Sequence, residues 1–160
     1  VREAIAAAGL VAANSNGGGQ IVAAGPIPAI EAFAANPPAR ARVIPLKVAG
    51  AFHTEAMAPA VPALEEFAAS LQVSDPTSAL LTNRDGSAVA SGEEFVKTLV
   101  SQVTSPVRWD LCMATLLERE VAGIIEVAPA GTLVGLAKRA MRGVPDTSIN
   151  TPEDLASLKG

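Results

Sequence analysis

The spacing of apolar residues alternates along the chain between a period near two and a period near 3.6, which predicts strands interleaved with helices. In the first third of the chain, the pattern predicts a helix, two strands, a second helix and a third strand, at residues 2–8, 10–13, 20–24, 28–35 and 42–48. The polar, glycine-rich residues 14–19 predict a loop between the first two strands. Pro45 restricts the third strand to an edge or a bulge, because proline has no amide hydrogen to donate. This order of elements is that of a split βαβ unit without its first strand.

The rest of the chain has the same alternating character. A long helix after His53 is predicted to carry one apolar face, formed by Met57, Val61, Leu64, Ala68 and Leu71. Three further helices are predicted by their apolar faces. The first follows a capping box, Ser91-x-x-Glu94, and has the face Phe95, Leu99 and Val103. The second has the face Trp109, Met113, Leu116 and Leu117, and the third has Leu133, Leu136, Ala137 and Met141. Strands are predicted at 79–82, before a turn at 84–86, and at 123–127, where the apolar run is typical of a buried strand. Thr151 is the predicted N-cap of a last helix. Strands alternating with helices indicate an α/β fold class.

Composition and charge exclude several classes of protein. A net charge of −4 and a pI of about 5.0 disfavour a nucleic-acid partner, because no cationic field attracts phosphates. No apolar run approaches the roughly 18 residues of a membrane span, so we expect no membrane partner. The single cysteine excludes an internal disulfide and a CxxC zinc site, and it fits a reducing, cytoplasmic location. The chain begins at Val1 within an alanine-rich helix, and we expect it to be the C-terminal part of a longer protein.

One side chain is a natural proton-transfer group at neutral pH. His53 is the only histidine and follows a predicted strand, where open α/β sheets place their sites. Taken alone, a single loop histidine is more often structural, since a base needs a geometric partner. The sequence contains no GxSxG nucleophile motif, Cys112 has the apolar neighbours of a buried cysteine, and residues 17–19 lack the spacing of a phosphate-binding loop. No group of His, Asp and Glu has metal-ligand spacing. The residues alone therefore give one candidate base and no complete active site.

Four blocks of sequence nevertheless resemble a known family, the malonyl-CoA:acyl carrier protein transacylases. The blocks are NSNGGGQIVAAG at 14–25, RVIPLKVAGAFH at 42–53, QVTSPVRW at 102–109 and EVAPAGTLVGLAKR at 126–139. They occur in the family's order and span nearly the whole chain.

The resemblance implies an acyltransferase of fatty-acid biosynthesis. Such an enzyme moves a malonyl group from coenzyme A to the phosphopantetheine thiol of acyl carrier protein through an acyl-serine intermediate, so its partners are malonyl-CoA and acyl carrier protein. It uses a coenzyme A thioester as substrate and no cofactor or metal. His53 resembles the general base, and the backbone carbonyl at Gln102 takes the place of a third acid in orienting the imidazole. Asn14 resembles a residue lining the acyl pocket. Arg42 resembles a basic residue near the pantetheine entrance; alternatively, it is an ordinary solvated arginine.

Phe52 suggests a preference among acyl groups. Acyltransferase domains with phenylalanine directly before the histidine resemble malonyl-selective ones. A ring near C2 of the acyl group would clash with an added methyl. Our hypothesis is that Phe52 makes the site selective for malonyl over methylmalonyl; the alternative is that it is ordinary wall packing.

The resemblance also implies how the chain is divided. Residues 1–48 would belong to an incomplete ferredoxin-like small subdomain, and residues 49–160 to the C-terminal part of an α/β hydrolase-like acyltransferase domain. The family's nucleophilic serine, malonyl-binding arginine and oxyanion glutamine are expected upstream of Val1. We therefore expect the 160-residue chain alone to transfer no malonyl group.

Two other functions stay open. One is an acyltransferase domain of a polyketide or multifunctional fatty-acid synthase, which carrier-domain sequence downstream in the gene would indicate. The other is a non-catalytic module that binds carrier protein or coenzyme A, which the absence of an upstream GxSxG would indicate.

Overall fold

The fold is that of a computed structural model, which describes residues 1–158. Lys159 and Gly160, the last two residues of the predicted unit at 49–160, lie outside the described residues. The α-helices are α1 Arg2–Ala7, α2 Ile27–Ala35, α3 Val61–Ala69, α4 Gly92–Gln102, α5 Trp109–Glu118 and α6 Thr132–Ala140. The strands are β1 Val11–Gly17, β2 Gln20–Ala24, β3 Val107–Arg108, β4 Ile124–Val127 and β5 Asp146–Ile149. Two 3₁₀ helices cover Glu55–Ala60 and Pro152–Leu158.

The strands form two small sheets, which confirms the α/β class. One sheet has the order β2-β1-β3, with β1 antiparallel to β2 and parallel to β3. The other is a parallel pair of β4 and β5, and α6 is the helix that connects them. A parallel pair needs such a crossover, because a tight turn cannot return the chain to the same end of the sheet. The sequence pattern gave no indication of β3 or β5.

The polar residues 14–17 are a strand, not the loop that the composition predicts. Gly17 pairs with Gln20, so the turn consists only of Gly18 and Gly19, whose φ angles are +57° and +81°. A two-residue turn with positive φ at both positions matches the twist of the two strands of a hairpin, and glycine adopts positive φ without strain. Asn14 is therefore paired with Val22 on β2, whereas Asn16 lies at a register shift between Ser15 and Gly17.

Residues 42–48 are not a strand, although their alternation predicts one. Ile44, Leu46 and Val48 are 59%, 60% and 67% exposed. No strand within residues 1–158 pairs with this segment, and Pro45 cannot donate a ladder hydrogen bond.

The predicted long helix after His53 is divided by its prolines. A 3₁₀ helix containing Pro59 leads into α3, which has Pro62 in its first turn. Proline lacks the amide hydrogen of a helix interior, so the α-helix starts only at Val61. The predicted face is partly buried as far as Ala68, but Leu71 lies beyond the helix and is 46% exposed.

The principal core lies between α5 and α6, where the apolar faces were predicted. Its buried residues are Met113, Leu136, Ala137 and Met141, and partly buried residues including Trp109, Leu116 and Ile124 pack against them. Leu117 and Leu133, predicted on these faces, are 44% and 39% exposed. Cys112 is buried, as predicted, and burial raises the pKa of its thiol. A buried neutral thiol is a poor nucleophile.

Three predicted elements differ from the sequence pattern in their length or in which side chains they bury. The strand at 79–82 is reduced to one bridge between Leu81 and Ala88. In β4 only Glu126 is buried, while Ile125 and Val127 are mostly exposed, so the strand is not of the buried type. On α4, Leu99 is half exposed and polar Thr98 and Gln102 are buried. Spacing alone cannot show which face of a helix meets the rest of the protein.

The capping box of α4 forms with one difference. Ser91 Oγ accepts from the Glu94 N–H at 3.1 Å. The Glu94 carboxylate accepts in return from the Ala90 N–H at 2.9 Å, one residue before the position usual for this motif. Both bonds fix the start of α4.

Gly86 gives a stability prediction. Its φ is +77°, and a Cβ atom there would lie 2.6 Å from the backbone carbon and oxygen of Leu111. Alanine would add left-handed strain and a clash with main chain that cannot rotate away. We expect Gly86→Ala to lower the free energy of unfolding of the full-length protein by about 2–4 kcal/mol, measured by urea unfolding.

Gly9 supplies the matched control for this prediction. Its φ is +68°, but nothing lies within 4 Å of its added Cβ. Gly9→Ala should therefore cost only the backbone strain, about 1–2 kcal/mol. Equal costs at the two positions would show that the Leu111 contact does not matter.

Candidate active site

His53 is attached to the C-terminal end of α4 by two hydrogen bonds. Its backbone N–H donates to the Val103 carbonyl at 3.1 Å, and its ring Nδ1 lies 2.8 Å from the Gln102 carbonyl oxygen. Because a carbonyl oxygen only accepts, Nδ1 carries the hydrogen in this contact. Nε2 of the neutral ring is then unprotonated, which is the state that a general base requires.

The loop around His53 explains how the ring is presented. His53 has a φ of +62°, a left-handed conformation that histidine adopts more readily than most residues. Thr54 is buried; its hydroxyl donates to the Ala51 carbonyl at 2.7 Å and accepts from the Ala56 N–H at 3.3 Å. These bonds close the loop on both sides of the histidine and offset the strain of its backbone.

Gln102 contributes main chain and side chain to this region. Its side chain is almost fully buried, and Nε2 donates to the carbonyls of Ser105 at 3.1 Å and Pro106 at 3.3 Å. The residue thus bonds both to the histidine and to the segment that enters β3.

Phe52 lies directly before His53 and is about half exposed, at 48%. Two carbons of its ring lie 3.9 and 4.0 Å from the position of a Cβ on Gly50, and Met57 Sδ lies 3.8 Å from the same point. The Phe52 ring and the Met57 thioether therefore both lie close to Gly50, in the loop that leads to the histidine.

The two remaining predicted site residues, Asn14 and Arg42, lie on other segments of the chain, β1 and residues 42–48. Asn14 is half-buried on β1 opposite Val107, the residue after Pro106, so one strand pairing connects it to the Gln102 side chain. Arg42 is exposed in the irregular segment 42–48 and makes no ion pair within residues 1–158. The structure places the His53 ring against the Gln102 carbonyl, with Phe52 next to His53 in the chain, and within residues 1–158 Arg42 forms no ion pair with any residue.

No carboxylate bonds to His53 among the described residues. The buried carboxylate of Glu126 accepts instead from the N–H groups of Val134, Gly131 and Leu133, at 2.9, 2.8 and 3.0 Å. The Val134 N–H above all, and then the other two, lower the pKa of Glu126. This residue caps the start of α6 and is not a free base.

Two further findings concern metal ligands and membrane-spanning helices among the described residues. Residues 1–158 contain no group of three or more His, Cys, Asp or Glu side chains that could hold a metal ion. Within the same range, no helix has both the length and the apolar character needed to cross a bilayer.

The sequence reasoning missed three contributors to this site. They are the Val103 carbonyl, the Thr54 hydroxyl and the side-chain amide of Gln102. Thr54 had a readable signal, because threonine before Glu55 is a typical helix cap. Nothing in the sequence marks the Val103 carbonyl as a partner of the His53 N–H.

The sequence is similar to those of several known proteins. No protein-family model matches the sequence. The malonyl CoA-acyl carrier protein transacylase of Mycobacterium tuberculosis (strain ATCC 25618 / H37Rv) is 56% identical over 149 residues, which cover 93% of this chain and 49% of that protein. The protein of the same name from Mycolicibacterium smegmatis is 53% identical over 153 residues, covering 93% of this chain and 53% of that protein.

A solved structure agrees with these relatives. The crystal structure of MCAT from Mycobacterium tuberculosis superposes with a TM-score of 0.96 at 53% identity, covering 100% of this chain and 53% of that one. Sequence and fold thus agree over nearly all of this chain. The chain is a homologue of the malonyl CoA-acyl carrier protein transacylases, and it spans about half the length of the curated relatives it matches.

Proposed function

We propose that these residues are the part of a malonyl-CoA:acyl carrier protein transacylase that supplies the catalytic base. The full-length protein, meaning the gene product that contains this chain, would transfer malonyl groups to acyl carrier protein in cytoplasmic fatty-acid biosynthesis. The observation that carries this proposal is the 2.8 Å contact of His53 Nδ1 with the Gln102 carbonyl, which leaves Nε2 free as a base. Its support is the name shared by the relatives that match the chain.

In the proposed reaction the malonyl group is transferred twice, first to a serine and then to the carrier protein, and one imidazole moves the protons in both steps. A serine hydroxyl from outside these residues attacks the thioester carbonyl, and His53 Nε2 takes its proton. The proton then goes to the departing sulfur of coenzyme A, leaving an acyl-serine. The thiol of the carrier protein next gives its proton to Nε2 and attacks the acyl-serine, and the serine oxygen regains the proton as the product leaves. The Gln102 carbonyl keeps Nδ1 protonated throughout and stabilises the imidazolium formed in each step.

Surface area supports a larger folded unit. The chain exposes 10497 Å², roughly 3,000 Å² more than the about 7,500 Å² expected for a compact protein of its mass. The exposed apolar side chains include Ile44, Leu46 and Val48 in residues 42–48, and Ile125 and Val127 in β4. We propose that further polypeptide of the same protein covers these faces. The ferredoxin-like unit at 1–48 and the hydrolase-like unit at 49–160 would be completed by it.

The segment before His53 is suited to an acidic partner. Residues 32–54 contain no Asp or Glu but include Arg40, Arg42 and Lys47, all exposed, in a chain whose net charge is −4. We propose that Arg42, with these neighbours, meets the carrier protein or the phosphates of coenzyme A near the pantetheine entrance. Asn14 would line the acyl pocket from β1.

Phe52 is proposed to set the acyl preference. We expect Phe52→Ser in the full-length enzyme to raise kcat/KM for methylmalonyl-CoA relative to malonyl-CoA by about 10-fold or more, because removing the ring removes a clash with the extra methyl. Competition between the two substrates, with products resolved by mass spectrometry, measures the ratio. Phe67→Ser is a matched control, since Phe67 is 62% exposed on α3 and should leave the ratio unchanged. An unchanged ratio in Phe52→Ser itself would make Phe52 ordinary wall packing.

The experiment that tests the proposed function uses the full-length protein with malonyl-CoA and acyl carrier protein bearing its phosphopantetheine arm. We expect malonyl-carrier protein to accumulate catalytically. Tight binding of carrier protein or coenzyme A without transfer would indicate the non-catalytic module instead. A carrier domain encoded downstream in the same gene would indicate the synthase domain.

A further inference from the structure

Gln102 holds His53 through its main-chain oxygen, and we infer that its side-chain amide is a separate positioning group for the same histidine. The amide acts by fastening the turn that carries both carbonyls to which His53 is bonded. This inference rests on the proposed function, because the histidine must be the base for its position to affect the rate.

The geometry places one buried side chain across the whole turn. Gln102 is the last residue of α4 and only 5% exposed. Its Nε2 uses both hydrogens, one on the Ser105 carbonyl at 3.1 Å and one on the Pro106 carbonyl at 3.3 Å. The side chain therefore connects the end of the helix to the segment three and four residues later.

The backbone of this turn is weakly bonded without the amide. The Thr104 N–H donates to Ser101 and the Ser105 N–H to Gln102, both at 3.3 Å, which is long for an amide hydrogen bond. Pro106 has no N–H to add. The last carbonyls of a helix lack helical partners, so a helix end is the part most able to move.

The His53 anchors are at the start of this turn. The Gln102 carbonyl holds the ring and the Val103 carbonyl holds the backbone N–H. If the turn loosens, the Gln102 oxygen moves away from Nδ1, and the imidazole is free to change its tautomer and direction. A misplacement of about 1 Å can lower a rate about 100-fold. Substrate binding elsewhere in the enzyme would be unaffected.

Gln102→Met in the full-length protein isolates this effect. Methionine has a similar length but no donors, and Gln102 Oε1 accepts no hydrogen bond within residues 1–158, so the substitution removes only the two Nε2 bonds. We expect kcat for malonyl transfer to fall about 10- to 100-fold with little change in KM. We expect ¹⁵N NMR of His53 in the neutral ring to show a mixture of tautomers, where the wild type has the hydrogen on Nδ1.

Two further variants keep the test decisive. Ser101→Ala removes a local hydrogen bond to the Thr98 carbonyl on the same turn of α4, and should leave kcat and the tautomer unchanged. Gln102→Asn keeps the donors on a shorter arm; should Gln102→Met fail to fold, this variant is expected to show an intermediate fall in kcat. Folded Gln102 variants with the wild-type kcat and a single Nδ1–H tautomer would overturn the inference. If the wild type transfers no malonyl group, the proposed function fails, while the NMR comparison still tests the turn.

Discussion

His53→Ala in the full-length enzyme should lower kcat for malonyl transfer by about 1,000-fold, within the 10²–10⁴ range typical of a positioned acid–base group. In the proposed reaction the same imidazole serves both the formation and the breakdown of the acyl-serine, so both halves of the reaction should be slowed. KM for malonyl-CoA should change little, since the ring takes part in proton transfer and is not the main contact for the acyl group. Steady-state transfer to carrier protein measures both constants.

The control for this experiment is an exposed residue on the helix that anchors the histidine. Within residues 1–158, Lys97 of α4 forms an ion pair with Glu93 alone, and both side chains are about three-quarters exposed. Lys97→Ala should keep the wild-type kcat. A His53→Ala enzyme that works as fast as the Lys97→Ala enzyme would remove the histidine from the mechanism.

The second large effect concerns the isolated chain. We expect the 160 residues alone to transfer no malonyl group, because they offer no evident nucleophile for the proposed base: the sequence has no GxSxG motif, and Cys112 is buried with a raised thiol pKa. The assay compares purified chain, from a host whose own transacylase is removed, with the full-length protein. Circular dichroism reports whether the isolated chain is folded in that assay.

Catalytic turnover by the purified chain would contradict this expectation. It would place a nucleophile within the 160 residues that neither the sequence nor the geometry of His53 indicates.

The helices around the core could be read from the sequence, because their apolar spacing reflects burial directly. Met113 and Leu136 were placed on the correct faces of α5 and α6. The strands were less predictable, because a strand depends on a distant partner. Residues 42–48 alternate like a strand but have no paired neighbour in residues 1–158, whereas the polar Asn14 lies in a strand because Gly18 and Gly19 take the turn.

The candidate site was predictable only in part. His53 stands out by residue type, and the resemblance implied its contact with the Gln102 carbonyl, which the structure places at 2.8 Å. The Val103 carbonyl could not be foreseen, since any residue has one and only tertiary structure aligns it. The catalytic, substrate-binding and subdomain assignments stay predictions until the variants above are measured.

The most direct test of the central claim follows the first turnover of the full-length enzyme. Wild type and His53→Ala are mixed with malonyl-CoA without carrier protein, quenched at short times, digested and analysed by mass spectrometry. We predict one malonyl group on a serine outside these 160 residues in the wild type, formed within a single turnover, and its formation slowed about 1,000-fold in His53→Ala. Malonylation of a residue within the chain would contradict the expected position of the nucleophilic serine, and equal rates in the two proteins would contradict the assignment of His53 as the base.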